Sequence, residues 1–216
     1  MSNTKERELS RKETNIKRVV HVALASFVKY GIENSKVSEI GRIAGLTERS
    51  VFRYFETKSD LVLSSALLFW KRVKTLVEKN VLPPNESSLT GIEDIEMILN
   101  KYSSVCFNYP KQLIFVQEAE SYLYRTGKEL LIKTKILSSF VDSTDPLALA
   151  IKKGIKDGTV RNSPNIEDLY FNAYDSLLGL MEKFAIRTNK NDDEEKKQRE
   201  ERLKSFCHVL VQGFSN

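Results

Sequence analysis

From Ile16 the chain sets apolar side chains at Ile16, Val19, Val20, Ala23, Leu24, Phe27 and Val28, the spacing that lays one stripe along a helix. Gly31 is the predicted stop, because glycine takes the left-handed turn that follows a last helical residue. Shorter helices are predicted over Val37 to Ala44, stopped by Gly45, and over Glu48 to about Phe55, where the Thr47 hydroxyl is placed to accept an orphan N–H. Thr57 with Asp60 makes a capping box that opens a long helix to about Asn80, ended by Pro83 and Pro84. Thr90 with Glu93 is a second box, ahead of a stripe from Ile92 to Tyr109 that stops at Pro110. Further helices fit Lys111 to Tyr124, Lys128 to Val141, and Pro146 to Asp157, the last with Asp145 as N-cap and Gly158 beyond its end. No segment alternates as a half-buried strand does, so an all-α fold is expected.

The two ends of the chain break this regularity in opposite ways. Residues 1–13 hold one apolar side chain after the initiator, Leu9, and are expected to form a mobile arm. Between Asn165 and Arg187 the apolar positions cover more than one helix face, and a last helix starting at Asp192 ends on Leu203, Phe206, Cys207, Leu210 and Phe214. One neighbouring helix would not bury so broad a surface, so something further is expected to cover it.

Composition narrows the class. The chain has 216 residues, 41% hydrophobic and 29% charged, with nine Gly and five Pro, which excludes disordered, collagen-like and low-complexity chains. Cys106 and Cys207 have no second thiol or histidine at ligand spacing, so neither a disulfide framework nor a zinc site is readable, and inert core thiols in a reducing cytoplasm are expected. The most apolar stretch, Leu61 to Trp70, is interrupted by Ser64 and Ser65 and is too short to cross a bilayer; no membrane partner is expected. Residues 1–61 hold twelve Lys/Arg against eight Asp/Glu, a net of +4, whereas the remainder is nearly balanced. That asymmetry directs attention to an acidic partner for the amino-terminal segment.

Val37 to Phe55 has the parts of two helices crossing at a tight turn. Ile40 and Ala44 supply the contact, Gly41 the close approach, Gly45 the left-handed turn, and Leu46 and Val51 the closing core. Such a helix-turn-helix aims the start of its second helix at the DNA major groove. Thr47, Glu48, Arg49, Ser50 and Arg53 occupy those positions. Arg49 and Arg53 suit guanine O6 and N7, and Glu48 suits cytosine N4. Ser35, Lys36, Ser38, Tyr54 and Lys58 flank them as candidate phosphate contacts, Lys58 beside a helix N-terminus. The arm adds Lys5, Arg7, Arg11 and Lys12 as minor-groove candidates, diluted by Glu6, Glu8 and Glu13 to a net of +1.

The run from Phe27-Val28-Lys29-Tyr30-Gly31 through Val37 to Thr47 and on to Phe52-Arg53-Tyr54-Phe55-Glu56-Thr57-Lys58-Ser59-Asp60-Leu61 resembles the amino-terminal domain of TetR-family transcriptional regulators. The likeness covers about residues 14–61. Three positions depart from the family pattern: Phe52 replaces the usual Tyr and its hydroxyl, Lys36 stands where Thr or Ser commonly caps, and Gly41 replaces Ala at roughly 1 kcal/mol of helix propensity.

After the arm at 1–13, the resemblance implies a three-helix DNA-binding domain at 14–61 and a larger helical effector-binding and dimerisation domain at 62–216. It implies a homodimeric repressor, released from a near-palindromic operator by a small-molecule effector. The dimer surface it implies is Ile166, Tyr170, Ala173, Leu177, Leu180, Met181, Phe184, Leu203, Phe206, Leu210 and Phe214. Pocket candidates with aromatic walls and polar handles are Trp70, Tyr102, Phe115, Glu118, Tyr122 and Tyr174. An activator, an effector-independent regulator and a helical interaction module that has lost DNA binding remain alternatives, the last motivated by Phe52. Glu118 and Glu120 do not share a helix face, His21 and His208 are far apart, and no nucleophile elbow, P-loop, dinucleotide or zinc-protease motif occurs, so no enzyme, cofactor or metal is expected.

Overall fold

The computed structural model describes residues 2–80, 83–128, 145–163, 166–187 and 193–216. Among them the helices are α1 (Ser2–Tyr30), α2 (Val37–Ile43), α3 (Glu48–Phe52), α4 (Lys58–Asn80), α5 (Gly91–Ser103), α6 (Val105–Asn108), α7 (Pro110–Arg125), α8 (Pro146–Asp157), α9 (Ile166–Arg187) and α10 (Asp193–Phe214). The extended pairing seen among the described residues is a single bridge between Val160 and Ser215. The helix expected from Lys128 to Val141 lies outside the described residues beyond its first position, as does the loop around Asn189 to Asn191.

Two elements differ from expectation. The segment read as an arm is the first part of α1, which starts at Ser2. It contains no Gly or Pro, and its Glu, Lys and Arg side chains favour a helix without needing an apolar face. The stripe from Ile92 to Tyr109 is broken at Ser104 into α5 and α6.

The chain divides into two compact units. The first contains the described residues up to Lys71 together with 114–128, so it takes in the start of α4 and most of α7 beyond the expected 14–61. Its core joins Val19, Ala23, Leu24 and Phe27 of α1 to Ile40, Ala44, Val51, Leu61 and Val62, and to Phe115, Val116, Ala119 and Leu123 of α7. Phe27 and Phe115 stack with ring centroids 5.9 Å apart.

The second unit holds the described residues of 72–113 and 145–216, with α5 packed against α8, α9 and α10. At the α5/α8 crossing the backbones nearly touch, and a methyl group built on Gly91 would overlap the Gly154 backbone. Beside it Lys153 Nζ lies 2.7 Å from the fully buried Asp94 carboxylate, which also accepts from the Ser87 hydroxyl at 2.8 Å. Asp145 caps α8 as expected, accepting from the amides of Leu147 and Ala148 at 3.0 Å each. Both cysteines are buried; burial pushes the Cys106 thiol up to about 12 and Cys207 to about 11.

The apolar surplus of α9 is covered within the chain, by α5, α6 and α10. Tyr170, Ala173, Leu177, Met181 and Phe184, with Leu203 and Phe214 of α10, are buried in a single copy and are not a free dimer face. Ile166, Leu180, Phe206 and Leu210 stay half-exposed, and Val209, beside Leu210, is exposed.

Candidate nucleic-acid interface

Local backbone geometry sets the recognition helix. Gly45 adopts φ +69°, a conformation a side chain would strain, and its N–H bonds to Arg42 O at 3.1 Å while Leu46 N bonds to Gly41 O at 2.8 Å. A Cβ on Gly41 would meet Leu46 O at 3.1 Å and Val51 Cγ2 at 3.2 Å, so glycine there permits the crossing. Thr47 Oγ1 accepts from Ser50 N at 3.2 Å, capping α3 as its residue type predicts. With Ile40, Ala44 and Val51 turned into the core, Thr47, Glu48, Arg49 and Arg53 are left exposed and Ser50 half-exposed. α3 ends at Phe52, so Arg53 is its C-cap and not a mid-helix residue.

The flanking candidates separate. Lys36 and Ser38 are exposed at the start of α2, and Lys36 is the N-cap without a side-chain bond. Ser35 is a correction: it is 5% exposed and donates its hydroxyl to Gly31 O at 2.7 Å, so it closes the turn after α1 and neither caps α2 nor faces a phosphate. Lys58 opens α4 behind the Thr57/Asp60 capping box, and its Nζ lies 3.4 Å from Glu33 O. Phe52 is 41% exposed and brings no hydroxyl to the surface.

Tyr54 is tied to α1 by a bond the sequence did not reveal, its hydroxyl accepting from Asn15 Nδ2 at 3.3 Å. Asn15 in turn accepts from Arg18 Nη2 at 2.7 Å. Arg53 stacks its guanidinium 5.6 Å from the centre of the Tyr54 ring. The Asn15 amide, with the charges of Arg53 and Arg11, holds the Tyr54 phenol below its ordinary value. The missed signal is the spacing of Arg7, Arg11 and Arg18, which share a helix face only once α1 is known to start before Ile16.

The six pocket candidates are divided between the two units. Trp70, Phe115, Glu118 and Tyr122 belong to the first unit, and Tyr102 and Tyr174 to the second. Phe115 is a fully buried core residue. The Glu118 carboxylate accepts the Ile32 N–H at 2.6 Å, just past the end of α1. Along the same helix Arg125 lies 3.4 Å from Glu33, and beyond its end Lys128 pairs with Asp60. These residues fasten α7 to the turn after α1 and the start of α4. In the second unit, buried Tyr170 shares a hydrogen bond with Asp145, and the charge of Asp145 bears on Tyr102, with Tyr174 close by. Burial raises the phenols of Tyr102 and Tyr170 and the Asp145 carboxyl. Tyr170, expected at a dimer surface, therefore belongs to an internal polar cluster.

Among the described residues no group of His, Cys, Asp or Glu is arranged to hold a metal, and no helix is long and apolar enough to cross a membrane.

The family model of bacterial regulatory proteins of the tetR family matches residues 19–64. The fatty acid metabolism regulator protein of Bacillus subtilis strain 168 is 22% identical over 159 residues, covering 73% of this chain and 77% of its own. Among solved structures, the transcriptional regulator FadR from Bacillus subtilis in complex with stearoyl-CoA superimposes with a TM-score of 0.65 at 18% identity, over 92% of this chain and 98% of that one. The fatty acid degradation regulator FadR from Bacillus halodurans gives 0.65 at 16%, over 91% and 94%. The ketosteroid transcriptional regulator of Mycobacterium tuberculosis gives 0.56 at 14%, over 93% and 95%. At these identities the structural likenesses establish the fold.

Proposed function

The chain belongs to the TetR family of bacterial regulatory proteins through residues 19–64 and is a DNA-binding transcriptional regulator; from that premise we propose that it is a homodimeric repressor released from a near-palindromic operator by a fatty acyl-CoA. The observation that carries the operator reading is the outward set Thr47, Glu48, Arg49, Ser50 and Arg53, left uncovered while the rest of the helix-turn-helix closes over Ile40, Ala44 and Val51. Arg49 and Arg53 read guanines and Glu48 accepts from cytosine, while Lys36, Ser38, Tyr54 and Lys58 hold phosphates.

A second copy is supported by the apolar side chains that one chain leaves at its surface: Leu180 on α9, and Phe206, Val209 and Leu210 on α10. Two-fold symmetry pairs two recognition helices, which read half-sites about one turn of DNA apart, roughly 34–36 Å, or somewhat more. The effector class comes from the relatives, two of which are described as regulators of fatty acid metabolism or degradation and one of which holds stearoyl-CoA. Buried Tyr170 and half-buried Tyr102 and Tyr174 carry the hydroxyls of the second unit suited to orient its polar end. Release follows if the effector binds the DNA-incompetent arrangement more tightly, the differential affinity that allostery requires.

Selection of bound sequences from a random duplex library, followed by titration of the selected duplex with stearoyl-CoA or free coenzyme A, tests both parts. An enriched inverted repeat whose binding is lost with the acyl thioester alone is expected. No enrichment removes the base-reading role. Enrichment with affinity unchanged by stearoyl-CoA removes the effector and leaves the operator.

A further inference from the structure

The first half of α1 has no role in the reading above, yet it is a helix that joins the recognition surface. Arg7, Arg11 and Arg18 fall at i, i+4 and i+11 with Thr14 and Asn15 between them, on the side away from the buried Val19, Val20 and Ala23. All three arginines are exposed. Glu6 and Glu8 sit about 100° to either side of Arg7, and Glu13 lies toward the core side. The helix therefore sorts a segment of net +1 into a stripe centred on three arginines, with Glu6 and Glu8 along its edges.

That stripe is continuous with the DNA-reading residues. Arg18 holds Asn15 at 2.7 Å, Asn15 holds the Tyr54 hydroxyl at 3.3 Å, and Arg53 lies over the Tyr54 ring. Arg11 is near enough for its charge to act on Tyr54, and a shallow surface depression lined by Glu6, Arg7, Ser10, Arg11 and Thr14 extends the surface further from the recognition helix. From Arg7 to Arg18 the helix rises about 16 Å, close to five base-pair steps of duplex.

We propose that the amino-terminal half of α1 is a second, sequence-independent DNA-contact element, in which Arg7, Arg11 and Arg18 bind phosphates flanking the half-site read by α3; this rests on the operator reading. The occupant is duplex DNA, because a line of three exposed arginines, contiguous with Arg53 and Tyr54 and with Glu6 and Glu8 only at its edges, complements a phosphate backbone and carries no apolar side chain for a protein or lipid partner.

The full chain and the Arg7→Ala/Arg11→Ala variant, with helical content checked by circular dichroism, are compared on two duplexes between 50 and 200 mM salt. One duplex ends at the selected repeat and the other extends it by about ten base pairs on each side. Alanine preserves helix propensity, so the variant tests charge and not folding. On the extended duplex the variant loses about tenfold or more in affinity, and its log–log salt slope shrinks by about 2 per protomer, at ~0.9 per phosphate released. Its base preference is unchanged, its deficit narrows on the short duplex, and Arg7→Lys/Arg11→Lys restores the slope. Equal affinity and slope on the extended duplex, with the wild type still selecting an inverted repeat, overturns the stripe and leaves the operator standing. Wild-type binding without base preference, weakened in the variant with a reduced slope, upholds the stripe and removes the operator. Failure of the wild type to bind any duplex overturns both.

Discussion

The two units of this chain use their polar groups differently. In the first, the charged residues of the recognition helix are exposed, while polar side chains on other elements, Glu118 and Ser35 among them, complete backbone turns. In the second, Asp94 and Lys153 pair beside the α5/α8 crossing, and Asp145 joins Tyr170 within the core. Exposed charge is available for an outside partner; buried charge is committed to holding helices together, and removing one partner leaves the other unsatisfied. The contrast separates residues whose loss changes binding from those whose loss changes folding.

The sharpest break of that contrast is on α9 and α10. Leu177→Arg places an unpaired charge in the core and should cost more than about 4 kcal/mol, unfolding the second unit in a urea titration and not merely dissociating a dimer. Val209→Arg, at a position 61% exposed, should leave the unfolding midpoint nearly unchanged while shifting sedimentation toward monomer. A dimer intact in Val209→Arg would place the second copy on another surface. Asp94→Ala comes next: it takes the buried carboxylate from Lys153, whose Nζ keeps the Ser87 carbonyl at 3.1 Å, and should destabilise by about 3 kcal/mol, read as a lower urea midpoint. If the loss is instead within about 0.5 kcal/mol, the pair is a surface-grade interaction and the contrast between the units weakens.

In the first unit the effects move from stability to affinity. Arg49→Ala or Arg53→Ala should weaken operator binding by about 1–3 kcal/mol, concentrated at one base position, with the unfolding midpoint unchanged. A loss spread evenly over all sequences would reassign that arginine to a phosphate.

Much of the first unit was legible because its determinants are local. The Gly45 turn, the Thr47 cap and the Thr57/Asp60 box are each complete within four residues, so residue type and spacing suffice. Ser35 misled for the same reason: its type and position suit a phosphate contact, but its hydroxyl is taken by a carbonyl one turn back. The arm misled because charged helix formers carry no apolar period, which hid both α1's true start and the alignment of Arg7, Arg11 and Arg18. In the second unit, the breadth of the α9 stripe was visible, but whether this chain or another covers it depends on how α5, α6 and α10 pack. The Gly91–Gly154 approach and the Asp145–Tyr170 bond join residues far apart in sequence, where no spacing rule applies.

The finest test concerns Glu118, a polar pocket candidate by sequence, whose carboxylate lies 2.6 Å from the Ile32 amide. Glu118→Gln keeps an amide oxygen at that position but removes the charge, so the bond should weaken by about 1 kcal/mol without collapse of the Phe27–Phe115 stack. The expected readout is faster hydrogen exchange at the Ile32 amide, with the amides of the α5/α8 crossing unaffected. Operator affinity should fall slightly if α7 braces the turn between α1 and α2 for DNA binding. Ile32 exchange unchanged in Glu118→Gln would mean that the apolar contacts of α7 hold the turn, and that the carboxylate contributes nothing to setting the recognition helix.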